Sequence, residues 1–385
     1  MNRKIPFGRP ILGEAEKTAV RKVLEGDILV HGPIAKQFEA AFATYTGSKF
    51  AISTSSCTAS LHLAYFDLGI KPGDEVIVPA MTHVATVHAV ELCGGRPIFV
   101  DAEGATGNID IGQIESKITS RTKALSLVHF LGMPVNMEAI MKVARKHSLF
   151  VVEDCALAIG ARYKGQHVGT FGDVGCYSFY PVKHMTTAEG GMTLTQSQDI
   201  YDRTTRKKAF GVDRTMGERE VPGFYDVKLL GFNYRMNEIE AALGIEQLKS
   251  MPQFLTSRQD NFRQLESGLR DISEIELLES TSGDYLSSYY CLSFVLKKQF
   301  ATQRLPLVRY LNSHGVGTSV YYPQPVPAFT YYQEKYREDV KQYPQASRIA
   351  YQSVALPVGP HLGLEDMNYI VATLKAAIVE TRGQS

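Results

Sequence analysis

Residues 151–191 read VVEDCALAIGARYKGQHVGTFGDVGCYSFYPVKHMTTAEGG. The stretch begins inside a short, nearly continuous apolar run, Leu149–Glu153, and Asp154 follows at its carboxyl end. Such runs predict strands buried on both faces of a sheet. A second run of this kind is Val174–Phe179; Lys183 comes just beyond it, and Gly190–Gly191 close the stretch. An acid and an amine, each placed where a buried strand gives way to a loop, mark the edge at which open α/β sheets bind ligands.

The pattern repeats outward from this stretch. Further strand-like runs are Phe50–Ser53, Glu75–Val78, Pro97–Val100, Ala124–Val128 and Met192–Gln196. Between them, Thr58–Leu68, Val84–Leu92 and Met137–His147 carry apolar residues at i, i+3 and i+4, the spacing of a helix with one buried face. Lys71–Glu75 (KPGDE) predicts the turn that ends one helix and feeds a strand, which Pro79 closes. Alternation of strand and helix predicts an α/β fold: a mostly parallel sheet with helices on both faces. An amphipathic segment, Asn237–Met251, closes this part of the chain. Beyond it the pattern changes, with alternation at Tyr289–Leu296 and helical spacing at Leu305–His314. The expectation is a large domain over residues 1–250 and a smaller α+β domain over 251–385, in line with the usual size of domains.

Composition narrows the function. The formal net charge is +1, from 41 basic and 40 acidic residues, which supplies no field for nucleic acid. The five cysteines are odd in number and form no C-x-x-C pair, so they predict reduced thiols and neither a disulfide framework nor a metal site. Cys155 and Cys176 fall in apolar runs and are expected to be buried. The N-terminal MNRKIPFGRPILGEAEK has no apolar core of a signal peptide, and no run of 18 apolar residues exists. A cytoplasmic chain with no membrane partner is expected.

One cofactor chemistry accounts for the acid, the amine and the loops around them. Pyridoxal 5'-phosphate (PLP) needs a lysine amine for a Schiff base. It needs a carboxylate beside its ring nitrogen, because the protonated ring is the electron sink. Its phosphate needs N–H and hydroxyl donors, best found at a helix N-terminus. Lys183 is the candidate amine and Asp154 the candidate carboxylate. The segment Ser55–Ala59 follows a strand and opens a helix, so Cys57 and Thr58 are candidates for the phosphate cup, with Ser178 adding a hydroxyl. His83, after another strand end, is placed to stack on the ring.

These motifs, in this order, resemble the DegT/DnrJ/EryC1/StrS family of PLP-dependent sugar aminotransferases, a branch of fold type I. The resemblance runs from GRPILGEAE and LEGDILVHGP through SSCTASLHLA, GDEVIVPAMTHVATVHAV and GFNYRMNEIEAALG to YYPQPVPA, and SFYPVK…EGG is its most specific part. It implies a seven-stranded large domain and a smaller C-terminal one. It implies that Lys183 anchors the cofactor and moves the proton, and that Asp154 pairs with the ring nitrogen. Cys57, Thr58 and Ser178 would hold the phosphate, and His83 would cover the ring. Asn233 would reach the cofactor of a neighbouring subunit, in a homodimer with shared sites. The implied substrates are an amino acid, L-glutamate, and a nucleotide-linked keto-deoxy sugar, with Gly26–Pro33 and Tyr321–Pro327 as pocket walls.

The sequence departs from the family pattern at three places. Cys57 stands where glycine is common, which preserves the main-chain N–H. Leu157 stands where glutamine or histidine usually contacts the cofactor, and leucine cannot hydrogen-bond. YYPQPVPA lacks the histidine found there in many members. Three other readings remain open at this point, one of them another fold-type I activity such as a lyase acting on amino acids. In a sugar dehydratase of the same fold, histidine replaces the lysine, and His184 is next to Lys183. A non-catalytic binding protein could also use the fold.

Overall fold

The computed structural model describes residues 3–213, 221 and 223–382. Two helices come first, α1 (Glu14–Leu24) and α2 (Pro33–Thr46). Strand and helix then alternate through β1 (Phe50–Thr54), α3 (Cys57–Asp67), β2 (Glu75–Pro79), α4 (Val84–Leu92), β3 (Arg96–Val100), α5 (Ile111–Lys117), β4 (Thr122–Val128), α6 (Met137–His147) and β5 (Phe150–Asp154). Two short strands, β6 (Arg162–Tyr163) and β7 (Gln166–His167), precede β8 (Val174–Ser178) and β9 (Gly191–Thr195). After α7 (Gln198–Lys207) and the long α8 (Glu238–Leu269) come β10 (Ile275–Leu277), β11 (Tyr285–Leu286), β12 (Leu292–Leu296), α9 (Arg304–Ser313), α10 (Thr330–Tyr336), α11 (Pro344–Gln352), β13 (Ser353–Leu356) and α12 (Leu364–Arg382).

The large sheet has seven strands in the order β1-β9-β8-β5-β4-β2-β3. From β3 to β8 all neighbours are parallel, while β9 runs against both β8 and β1. Each of the seven strands expected from the apolar runs is present, with ends shifted by one or two residues. The central strands read as continuous apolar runs because helices cover both faces; β2, β8 and β9 are buried at every position. Residues α4 and α6 have the bounds that the helical spacing predicted.

The amphipathic segment expected to end at Met251 does not end there. Helix α8 starts with a capping box, in which Asn237 accepts from the Glu240 N–H and Glu240 accepts from the Asn237 N–H. It then passes through Pro252 to Leu269. Proline removes one backbone hydrogen bond, but Met251 and Phe254 on either side of Pro252, and Phe262, Leu265 and Leu269 further on, are all buried. Packing along the whole length outweighs the one lost bond. Residue 250 therefore lies inside a continuous helix that serves the cores at both ends.

The C-terminal part carries a separate antiparallel sheet in the order β10-β12-β13. The alternating segment Tyr289–Leu296 contains β12, every residue of which is buried. Leu292, Phe294 and Leu296 point into one apolar cluster with Phe262, Leu311 and Leu374, and Val295 points into another with Ala346 and Ile349. Both faces are covered, so the period of two separates two cores here. A third small sheet, β11-β6-β7, ties this part to the loop after β5. All five cysteines are free, and Cys155 and Cys176 are buried as expected. Among the described residues no helix is long and apolar enough to cross a membrane.

Strand β5 ends in two buried carboxylates, Glu153 and Asp154. Consecutive strand residues point to opposite faces, so the two acids serve different surroundings. Glu153 accepts from the N–H groups of Gly169, Phe171 and Gly172 at 2.7, 2.9 and 2.7 Å. His129 Nδ1 accepts from the Val135 N–H, so Nε2 carries the hydrogen and donates it to Glu153 at 3.0 Å. Cys155 lies close enough to complete a metal-like trio with these two, but their lone pairs are already committed to N–H donors. Glu153 is thus a structural knot that holds residues 169–172 beneath the sheet. Glu153→Ala leaves four buried donors unpaired; denaturant unfolding should show a loss of roughly 3–5 kcal/mol.

Candidate active site

Six strands of the large sheet point the same way, which brings the carboxyl ends of β1, β2, β4, β5 and β8 to one edge. A cavity of about 260 Å³ opens there. Cys57, Thr58, His83, Asp154, Ser178 and Lys183 all line it. Asn233 does not: it is exposed and pairs as a bridge with Ala209 outside the cavity. Of the two expected walls, Tyr322 reaches the cavity, while Gly26–Pro33 lies elsewhere on its own chain.

The first turn of α3 forms one end. Ser56 is its N-cap, and the Ser56 hydroxyl oxygen accepts from the Ala59 N–H at 3.1 Å. Thr54 donates to the Ser56 carbonyl and accepts from the Ser60 hydroxyl, which braces the turn from below. The N–H groups of Cys57 and Thr58 have no partner among the described residues, and the turn contains no acidic residue. An open helix N-terminus of this kind favours an anion. Ser178 accepts weakly from the Tyr180 N–H at 3.4 Å and keeps its own hydrogen for a ligand. Strand β9 presses on the same turn: a Cβ on Gly191 would lie 2.5 Å from the Ser56 carbonyl oxygen and 2.7 Å from the Cys57 nitrogen. Only glycine permits that approach.

The other end is Asp154. Its Oδ1 accepts from the Ala156 N–H at 3.0 Å and its Oδ2 from the Thr86 hydroxyl at 2.8 Å. Each oxygen keeps lone-pair capacity toward the cavity. Thr86 escaped the sequence reading, because a threonine in the first turn of a helix reads as ordinary local capping; only the tertiary fold, which sets the first turn of α4 at the carboxyl end of β5, brings it to the acid.

Lys183 faces the same space. Among the described residues its ammonium has no hydrogen-bond acceptor and no ion-pair partner, and it lies over the Tyr290 ring, 5.6 Å from the ring centre. Burial holds its pKa below the ordinary lysine value, against the opposing pull of Cys57 and Asp154. His184, one residue on, turns away into the protein. It is buried and its Nε2 donates to the Ser288 carbonyl at 3.0 Å. The lysine, and not the histidine, therefore occupies the cavity.

His83 caps α4, with Nδ1 accepting from the Ala85 N–H, which places the ring hydrogen on Nε2. The ring lies in the cavity 5.6 Å from that of Tyr322, edge to face. Desolvation by the walls lowers its pKa, so it presents a neutral aromatic face. Burial pushes the Tyr322 phenol up, helped by Asp154 and Tyr321, so it remains a hydrogen-bond donor. Leu157 also lines the cavity, and its side chain gives no polar contact.

The cavity thus has an open anion end, a buried carboxylate with free lone pairs, an amine without a partner and aromatic rings between them. PLP meets each of these needs, with its phosphate, protonated ring nitrogen, aldehyde carbon and flat ring. The fold and the site define a PLP-dependent enzyme of fold type I. Comparison with known proteins agrees over nearly the whole chain. The model of the DegT/DnrJ/EryC1/StrS aminotransferase family matches residues 10–375. The chain is 36% identical over 372 residues to GDP-perosamine synthase of Escherichia coli, covering 96% of this chain and 97% of that one. It is 32% identical over 378 residues to the spore coat polysaccharide biosynthesis protein SpsC of Bacillus subtilis, covering 97% of each. A putative sugar aminotransferase of Streptococcus pneumoniae, solved in its PMP form, superposes with a TM-score of 0.92 at 28% identity, covering 97% of this chain and 99% of that one. The protein belongs to the DegT/DnrJ/EryC1/StrS aminotransferase family, and its cofactor is PLP.

The close approach of β9 to the α3 turn gives a direct test of the phosphate cup. Gly191→Ala should displace the Ser56–Cys57 backbone and weaken PLP binding by ~10-fold or more, the cost of disturbing two charge-assisted hydrogen bonds. A fluorescence titration of the apoprotein with PLP measures it.

Proposed function

We propose that the protein transfers an amino group from L-glutamate to a nucleotide-linked keto-sugar in amino-sugar biosynthesis. The observation that carries this reading is the unpartnered Lys183 amine, facing the same cavity as the clamped carboxylate of Asp154. The names of the relatives, GDP-perosamine synthase and a spore coat polysaccharide protein, support a sugar as the amino acceptor.

When bound, PLP supplies a carbonyl carbon for the amine and a protonated ring that draws electrons from the reacting carbon. The residues of the chain do the rest. Lys183 would hold the cofactor through its Nζ, and the same Nζ, when free, would take up and return the α-proton of the donor amino acid. Burial holds this lysine below its ordinary pKa, which raises the share of free amine that can act as a base. Asp154 keeps the ring nitrogen protonated. The N–H groups of Cys57 and Thr58 and the hydroxyl of Ser178 hold the phosphate, so the ring cannot drift while the substrates exchange. His83 covers one face of the ring and excludes water from it. The same residues run in reverse on the keto-sugar, which requires ping-pong kinetics.

We place Asn233 at the phosphate end of the partner subunit's cavity, in a homodimer. Its exposed position outside its own cavity supports this, as does the exposed apolar surface nearby formed by Phe210, Phe224, Val227 and Leu230. Residues 1–250 and 251–385 are read as a large cofactor domain and a smaller domain, joined through α8. The cytoplasm, where nucleotide sugars are made, is the proposed location.

Absorbance of the PLP-loaded protein tests the reading. Adding L-glutamate should replace the visible band by the shorter-wavelength band of the aminated cofactor, and a nucleotide-linked keto-sugar should restore it. Lys183→Ala should lower turnover by at least ~10²–10⁴-fold. A visible band that glutamate leaves unchanged would exclude glutamate as the donor.

A further inference from the structure

We infer that Thr86 is a positioning residue for Asp154, with Thr82 fixing the direction of its hydrogen bond. This rests on the reading above that Asp154 partners the ring nitrogen of PLP. The two threonines and the acid form one chain. Thr82 and Thr86 are joined through their hydroxyl oxygens at 2.8 Å, and Thr86 Oγ1 meets Asp154 Oδ2 at 2.8 Å. A hydroxyl has a single hydrogen to give, and an ionised carboxylate can only accept. The Thr86 hydrogen therefore points at Asp154, and Thr82 must donate to Thr86. The order Thr82 to Thr86 to Asp154 leaves no freedom for the rotors to reverse.

All three residues are buried, at 1%, 0% and 5% exposure, so bulk water does not compete with the chain. In such surroundings each bond polarises the next and strengthens it. The local fold delivers the chain from one short turn. Thr82 precedes the His83 cap of α4, and Thr86 closes the first turn with its N–H on the His83 carbonyl at 3.1 Å. The turn that presents the His83 ring to the cavity thus also clamps the acid below it. The Ala156 N–H holds the other oxygen, so the plane of the carboxylate is fixed from both sides.

The consequence concerns a proton. With both oxygens held, the lone pairs that Asp154 has left face the cavity, where they would hold the proton of the ring nitrogen. Without the Thr86 donor the carboxylate is free to rotate away, and the ring nitrogen loses the partner that keeps its proton.

The test uses the protein loaded with PLP carrying ¹⁵N in its ring, in wild-type form and as Thr86→Val, Thr86→Ser and Thr82→Val. Wild type should give the ¹⁵N shift of a protonated ring. Thr86→Val should still bind PLP and show its visible band, but its ¹⁵N shift should move toward that of the neutral ring. Its kcat should fall by roughly 10-fold, the effect of losing one hydrogen bond to a charged group, with KM for glutamate within about twofold. Thr86→Ser should restore both readouts, and Thr82→Val should cause a smaller change of the same sign. A Thr86→Val holoenzyme with a wild-type ¹⁵N shift and kcat overturns the inference. So does a Thr86→Ser variant as impaired as Thr86→Val. A wild-type protein whose ring is not protonated, or which binds no PLP, would instead overturn the assignment of Asp154 itself.

Discussion

A carboxylate taken out of water must be given donors, and strand β5 buries two in succession. Much of the site is the answer to that demand. On one face of the sheet, Glu153 gathers three backbone N–H groups and a histidine and so fixes the loop that leads into β8. On the other, Asp154 has only the Thr86 hydroxyl and the Ala156 N–H, and keeps lone pairs for the cavity. The first acid is saturated and structural, the second deliberately short of partners. Their contrasting roles come from the two-residue period of a strand and from which helix or loop packs against each side.

The opposite end of the cavity shows the complementary arrangement. There the protein leaves donors without acceptors, at Cys57 and Thr58 in the first turn of α3. The Ser56 side chain satisfies one orphan N–H and leaves the others pointing at the space a phosphate would take. Gly191 allows β9 to hold this turn rigidly against the sheet. The cavity thus offers acceptors at one end and donors at the other, with Lys183 on the same lining.

Desolvation acts on the lysine itself. With no carboxylate in hydrogen-bonding contact, the charged form of Lys183 loses more from burial than it gains from its neighbours. The apolar lining from Leu61, Val128 and Leu157 contributes to that low polarity. The leucine at 157 brings no polar atom to the lining and adds to the burial of the site. The Tyr322 hydroxyl, which has no partner among the described residues, is the polar group that the C-terminal part of the chain brings to the same cavity.

The sequence alone determined the α/β class and the seven strands of the large sheet, and it pointed to a lysine and an acid that both line the cavity. It could do so because buried parallel strands are written as local apolar runs, and because the residues that matter stand at the ends of those runs. Cys57, Thr58, His83 and Ser178 were legible for the same reason, each being at a strand end or a helix start. The tertiary structure alone decided the rest. The passage of α8 through Pro252 depends on packing against two cores, which no local pattern encodes. The burial of both faces of β12 depends on helices distant in the chain. The role of Thr86 depends on the first turn of α4 meeting the end of β5 at Asp154, 68 residues away in sequence. Whether Lys183 or His184 enters the cavity is a matter of where a loop turns after β8. In each case the deciding term is a contact between segments far apart in the chain, and only the folded arrangement fixes such contacts.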